Sequence, residues 1–307
     1  MIVVVCPGQG SQTPGFLAPW LELDGAREHL ESFSDAAGVD LIAHGTASDA
    51  DTIRDTAIAQ PLIVAASILA WSALSAQTGA ARPGGFAGHS VGEIAALVAA
   101  GVVSAAEGLR LVGERGRAMA DAAAVEQTGM SAVIGGDQDA VLARLADLDL
   151  TPANYNGAGQ IVAAGALDGL AALASEPVAG TRVIPLQVAG AFHTRYMLSA
   201  VERLRSAAEG VAVSAPTARL WTNRDGSVVD SGAAALDLLI GQVANPVRWD
   251  LCMASFADHG VTGIIELTPA GTLTGLAKRA LRGVPSVAVK TPDDLAAATA
   301  LLTGDAA

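Results

Sequence analysis

The six residues Gly88-His89-Ser90-Val91-Gly92-Glu93 constrain this chain more than any other stretch. They have the form G-x-S-x-G, in which a serine sits on a sharp strand-to-helix turn and flanking glycines let the backbone bend where a Cβ would clash. Upstream, Gly84-Gly85-Phe86-Ala87 reads as a short buried strand. Downstream, Val91 to Ala100 is an apolar, alanine-rich run that reads as helix. That setting puts Ser90 at a helix N-terminus, where the dipole favours developing negative charge. A serine that merely caps a core helix fits the same six residues equally well.

The chain has 307 residues, 51% hydrophobic and 16% charged, enough to bury a large core in one or two domains. A net charge of −13 with only two lysines, Lys278 and Lys290, speaks against nucleic-acid binding. An acidic partner would need a local basic patch, and the densest is Lys278-Arg279 with Arg282. Cys6 and Cys252 have neither metal nor disulfide spacing, which suits a reducing compartment. The start, Met1 to Val5, reads as a strand rather than a signal peptide. The charge-free run from Ala57 to Ala81 reads as a buried helix with Pro61 in its first turn, not as a membrane span. The expectation is a soluble cytoplasmic protein, of a length and charge compatible with a monomer.

In chain order, residues 2–6 form an apolar strand ending in Pro7-Gly8-Gln9-Gly10-Ser11-Gln12. That turn lacks the phosphate-binding fingerprints, yet it offers backbone N–H groups and the Gln9 amide where α/β folds place ligands; a plain βα turn is the alternative. Ser104-Ala105-Ala106-Glu107 reads as a capping box opening a helix to about Ala123. One face of it, Arg110, Glu114, Arg117 and Asp121, alternates in charge and reads as solvated, with i,i+4 pairs. The neighbouring line, Leu111, Arg115, Met119 and Ala122, is an apolar stripe broken by one arginine. A buried arginine is costly unless it meets an anion. Either a carboxylate elsewhere in the chain pairs with Arg115, or Arg115 is a fork for a substrate carboxylate with Met119 packed beside it.

Residues 125–190 change pattern to β-α-β-β-α-β, the order of a ferredoxin-like split unit, inserted into a larger α/β domain made of 1–124 and 191–307. Outside the insert, strands and helices alternate as in a parallel sheet. Gly190-Ala191-Phe192-His193-Thr194 lies at the returning seam, and His193 is the best general-base candidate of the five histidines. The tail after Asp293 is alanine-rich and reads as peripheral.

Taken together, these motifs resemble the malonyl-CoA:acyl-carrier-protein transacylases, and more distantly the acyltransferase domains of polyketide and fatty acid synthases. The likeness runs from Pro7-Gly8-Gln9-Gly10-Ser11-Gln12 to Thr274-Gly275-Leu276, through Arg115 with Met119, Asn154-Tyr155-Asn156 and Asn245-Pro246-Val247-Arg248-Trp249. It implies an α/β-hydrolase-like large domain with Ser90 as nucleophile and His193 as its base. It also implies an imidazole oriented by a backbone carbonyl, which maps to Arg248, and an oxyanion held by the N–H groups of Gln9 and Val91. His89 and the Gln9 side chain would support the site. Arg115 would bind the malonyl carboxylate, and Phe192 matches the pattern for malonyl rather than methylmalonyl units. The implied reaction is ping-pong and uses no metal or diffusible cofactor. Its partners would be a coenzyme A thioester and an acidic acyl carrier protein, docked near Lys278, Arg279 and Arg282. One departure is Ala158, where the family often has proline.

Two other readings compete. A serine hydrolase shares the elbow, and Asp250 and His259 follow Ser90 in the order such a triad needs, though on one short helix. An interaction scaffold using the small unit leaves His193 without a task.

Overall fold

The computed structural model describes residues 1–79 and 81–304. Strand β1 (Ile2–Cys6) is apolar at every position because it is covered on both faces. Alternation sends Val4 and Cys6 into the main core, and Val3 and Val5 into a second core with Trp221, Trp249 and Phe256. Each fully buried valine contributes roughly 1.5–3 kcal/mol. After β1 come α1 (Ala26–Ala37), α2 (Leu41–Thr46), α3 (Thr56–Gln77), β2 (Gly85–Gly88), α4 (Gly92–Ala99) and α5 (Ala105–Ala123). The small unit follows as β3 (Thr128–Gly135), α6 (Gln138–Asp147), β4 (Thr151–Gly157), β5 (Gln160–Ala166), α7 (Leu167–Ser175) and β6 (Thr181–Pro185). The chain returns through α8 (Leu198–Ala208), β7 (Arg219–Leu220), α9 (Gly232–Gln242), α10 (Trp249–Asp258), β8 (Gly263–Glu266), α11 (Thr272–Ala280), β9 (Ser286–Ala288) and α12 (Leu295–Thr303).

The large sheet is parallel throughout, in the order β7-β2-β1-β8-β9. Its register matters for the site. Cys6 lies opposite Gly88, so the turns beginning at Pro7 and His89 leave the carboxyl edge side by side. The second sheet, β4-β5-β3-β6, is antiparallel, which is the strand order of a ferredoxin-like unit. One of its faces packs on α6 and α7 around Val133, Leu145, Ile161 and Leu173. Its other face turns Met130, Ala132 and Val162 toward the large sheet. The two units share main-chain bonds: Tyr155 N–H donates to the Val247 carbonyl and Val247 N–H to that of Ala153, both at 2.9 Å.

Several local expectations change. Pro61 is the sixth residue of α3, beyond its first turn, and α3 continues past it because the helix is buried on nearly every side. It is the one described helix long and apolar enough to cross a membrane, and 72% of that apolar window is buried inside the fold. Only half of the capping box forms. Ser104 accepts from Glu107 N–H, whereas the Glu107 carboxylate turns to Arg110. The charged face of α5 pairs at i,i+3 (Arg117–Glu114) and across to Arg203 of α8, which reaches both Glu114 and Asp121. Ala158 sits at φ 48°, a value a proline ring cannot adopt, so this β4–β5 turn differs in backbone shape from one built on proline. The tail is not peripheral: Leu295 and Ala298 of α12 are buried against α3 and β9, while 305–307 lie outside the described residues.

Glu266, at the end of β8, has no exposed surface. Its carboxylate accepts from Gly271, Leu273 and Thr274 N–H at 2.8–2.9 Å and so satisfies the start of α11. Glu266→Ala should lower the unfolding free energy by about 3 kcal/mol, read as a lower urea midpoint at unchanged slope. An unshifted midpoint would mean that other contacts hold this turn.

Candidate active site

Ser90 has φ 53°, the left-handed geometry of an elbow. Its neighbours must be glycine. A Cβ on Gly88 would run into the backbone of Gly92, and one on Gly92 into the Cys6 carbonyl. Ser90 N–H donates to Asn223 Oδ1 at 2.8 Å, which pins the turn to the loop after β7. The N–H groups of Gln9 and Val91 have no acceptor among the described residues, so two backbone donors stand free beside Ser90.

His193 also has a positive φ, 62°, and its N–H bonds the Val243 carbonyl. Nε2 lies 2.7 Å from Ser90 Oγ. Nδ1 lies 2.8 Å from the Gln242 carbonyl oxygen, which can only accept, so Nδ1 carries the proton and Nε2 is free to take one. This corrects the expectation that Arg248 supplies the orienting carbonyl. The Arg248 carbonyl instead accepts from Leu251 and Cys252 at the start of α10. Its guanidinium forms a bidentate pair with Asp250 and lies over the Tyr155 ring. The hydrolase arrangement is not assembled either. Asp250 is engaged by Arg248, and His259 bonds the Ser255 carbonyl and packs on Trp221. No carboxylate contacts His193 among the described residues.

Arg115 is 1% exposed. Nη1 donates to Gln60 Oε1 at 2.7 Å and Nη2 to Gln242 Oε1 at 2.9 Å, while Nη2 also comes within 3.4 Å of Ser90 Oγ. Nε has no partner. Among the described residues no carboxylate touches the guanidinium, so the ion-pair reading of Arg115 fails in its direct form. Burial lowers its pKa to about 10, opposed by Glu93, so it remains a cation. Burial also pushes His193 down to about 3, and the Arg115 charge acts in the same direction. Met119, one turn along α5, is buried, and its sulfur accepts from Gln60 Nε2.

Three side chains complete the site that motif reasoning passed over: Glu93, Asn223 and Gln242. Each is buried, and each is a polar residue in or beside an apolar run, the one sequence signal that marks it. Asn223 Nδ2 bonds the Gly88 carbonyl, and its N–H donates to Glu93 Oε1. His89 Nε2 meets Asn156 Oδ1 at 2.9 Å and the ring packs edge-on to Trp249, with burial lowering its pKa. The Gln9 amide makes two long contacts, to the Arg54 carbonyl and to Thr56 Oγ1.

Ser90, His193, His89 and Gln9 face a cavity of about 280 Å³ between the two sheets. Gln9, Gln60, His89, Ser90, Val91, Met119, Phe192 and His193 line one side, Met130, Ala132, Asn154 and Asn156 the other, and Leu273 and Leu276 of α11 its edge. Arg115 stands behind this wall. Lys278, Arg279 and Arg282 are exposed, and Arg279 Nη2 bonds Gln160, itself a lining residue, so the patch borders the cavity.

A family model described as acyl transferase domain matches residues 3–297. The malonyl CoA-acyl carrier protein transacylase of Mycobacterium tuberculosis is 54% identical over 296 residues, which cover 96% of this chain and 98% of that protein. The crystal structure of MCAT from Mycobacterium tuberculosis superposes with a TM-score of 0.94 at 54% identity, covering 96% of this chain and 98% of the other. A structure of a type II polyketide acyl-carrier protein in complex with its malonyl-transacylase matches with a TM-score of 0.91 at 30% identity, covering 97% and 98%.

A lowered pKa keeps His193 in its neutral, proton-accepting form to lower pH. A fluorophosphonate reagent should therefore label Ser90 at a rate that stays level from about pH 8 to about pH 5. An acid limb centred on the ordinary histidine value of 6.5 would show that burial does not lower the basicity of His193.

Proposed function

Because this chain belongs to the acyl transferase family, among the malonyl-CoA:acyl-carrier-protein transacylases, we propose that Ser90 carries the malonyl group between its two thiol carriers. The overall reaction moves malonyl from coenzyme A to the phosphopantetheine thiol of an acyl carrier protein, supplying units for fatty acid or polyketide synthesis. The observation that carries the assignment is one oxygen, Ser90 Oγ, at 2.7 Å from His193 Nε2 and 3.4 Å from Arg115 Nη2.

In the first half-reaction Ser90 Oγ attacks the thioester carbon while His193 Nε2 takes the hydroxyl proton. The carbonyl electrons move onto oxygen, where the N–H groups of Gln9 and Val91 hold the anion. Collapse breaks the C–S bond, and the imidazolium returns its proton to the departing thiolate. The second half runs the same steps in reverse with the carrier thiol. Both thiols end the same kind of arm, so one cleft serves both, and every proton and charge is handled by protein groups.

Arg115 binds the malonyl carboxylate, with Met119 and Phe192 packed beside it. That carboxylate offsets the Arg115 charge, which is the second cause of the low basicity of His193. Malonyl thereby strengthens the base that acts on it, and acetyl does not. An acetyl group also leaves a buried guanidinium unpaired, and sites that lose a polar partner discriminate strongly. Residues 125–190 form the inserted domain that roofs the cleft, over a large domain of 1–124 and 191–307. The carrier protein docks at Lys278, Arg279 and Arg282, the local basic surface of a chain whose net charge is −13. Two buried free thiols, Cys6 and Cys252, favour the cytoplasm as its compartment.

Intact mass after mixing with malonyl-CoA should show a malonyl adduct that maps to Ser90 and is absent in Ser90→Ala. Arg115→Ala should lower malonyl loading roughly 100- to 1,000-fold and shift preference toward acetyl-CoA. Release of free coenzyme A with no adduct would point instead to a hydrolase. Reversing the three charges at 278, 279 and 282 should slow transfer to the carrier about tenfold at low salt and leave loading from malonyl-CoA intact. An equal loss in both steps would remove the docking assignment.

A further inference from the structure

Of the ionisable groups in and around the cleft, His193, Arg115 and Glu93 are almost fully buried. The reaction as written gives Glu93 no task. A carboxyl removed from water must be held by donors. Glu93 stands in the first turn of α4, three residues past Ser90, where Oε1 accepts from Asn223 N–H at 2.5 Å and Oε2 accepts from the Gln242 amide.

Gln242 is the residue through which this carboxyl reaches the site. Its amide orientation is dictated by its neighbours. Oε1 faces the guanidinium of Arg115, which only donates. Nε2 faces Glu93, the Ser90 carbonyl at 3.1 Å and Asn223 Oδ1 at 3.2 Å, all acceptors. Turning the amide over would set N–H against N–H at Arg115. The main-chain carbonyl of the same residue orients His193.

We propose that Glu93 is a positioning residue that acts through the Gln242 amide on Arg115, and so sets the preference for an acyl group bearing a carboxylate. The proposal rests on the reading that Arg115 binds that carboxylate. Glu93 fixes which end of the amide Arg115 meets, and the amide fixes Nη2 beside Ser90 Oγ. Burial pushes the Glu93 carboxyl up to about 8, against the pull of Asn223, Gln242 and Arg115; the Cys252 thiol is the other titratable group that feels its charge.

In Glu93→Gln a nearly isosteric amide must turn its NH2 toward either Asn223 N–H or Gln242 Nε2, a donor against a donor in both cases. Removing a negative charge, by itself, would strengthen the attraction of Arg115 for malonyl. A fall in malonyl preference therefore reports lost geometry. The experiment measures initial rates of Ser90 loading from malonyl-CoA and acetyl-CoA at about pH 9, where the wild-type carboxylate is ionised. It uses wild type, Glu93→Gln, Gln242→Met, the double variant and Arg115→Ala. Taking the ratio of the two substrates cancels any loss of folded protein or of His193 alignment.

The malonyl-to-acetyl ratio should fall roughly ten- to a hundredfold in Glu93→Gln and similarly in Gln242→Met, with the double variant no worse than the lower single one. An unchanged or raised ratio in Glu93→Gln, or effects that multiply in the double variant, would overturn the proposal. If Glu93→Gln does not fold, Gln242→Met decides alone, an unchanged ratio there being fatal. Arg115→Ala separates the premise: if its ratio is unchanged the carboxylate clamp itself is wrong, whereas a fall there with none in the other variants sinks only the role of Glu93.

Discussion

A guanidinium withdrawn from water beside a neutral imidazole is the constraint on which the rest of this site depends. An isolated buried charge is costly, and among the described residues Arg115 has no carboxylate in contact to offset it. Two glutamine carbonyls take its N–H groups instead, Gln60 from α3 and Gln242 from α9. Neutral acceptors hold the cation without cancelling it. Burial makes the imidazole poorly basic, and the same charge adds to that.

Backbone geometry supplies the other half. Ser90 and His193 both sit at positive φ, in turns pinned from elsewhere in the chain: Ser90 N–H by Asn223, His193 N–H by the Val243 carbonyl. Parallel pairing of β1 with β2 brings two glycine-bearing turns to one edge, and with them the N–H groups of Gln9 and Val91. The reactive atoms are thus placed by strand register and helix ends rather than by long flexible side chains.

The elbow was legible because its bend excludes side chains, so glycine had to appear on both sides of Ser90. The order of the four-stranded sheet was legible because alternation and loop lengths are local. Arg115 stood out because it broke an apolar stripe, although only the fold showed that glutamines hold it. The partner of His193 was not legible. Main-chain carbonyls are the same at every residue, and the choice between Gln242 and Arg248 depends on where α9 ends. Glu93, Asn223 and Gln242 escaped for a related reason: their bonds join positions up to 152 residues apart, and nothing at either end records the other. The alanine-rich end of the chain failed differently. Alanine suits a buried helix and an exposed one alike, so composition could not reveal that α12 covers the sheet edge.

Main-chain bonds of Tyr155 and Val247 stitch β4 of the four-stranded sheet to the segment leading into α10. Each is worth about 1 kcal/mol, and both must break before the two sheets can part. Such a seam is indifferent to the side chains at its ends. Residues lining the cleft, Met119 and Phe192 among them, can therefore be exchanged without altering the gap between the sheets. A scaffold of this kind lets the choice of acyl cargo drift while the carriage that moves it stays the same.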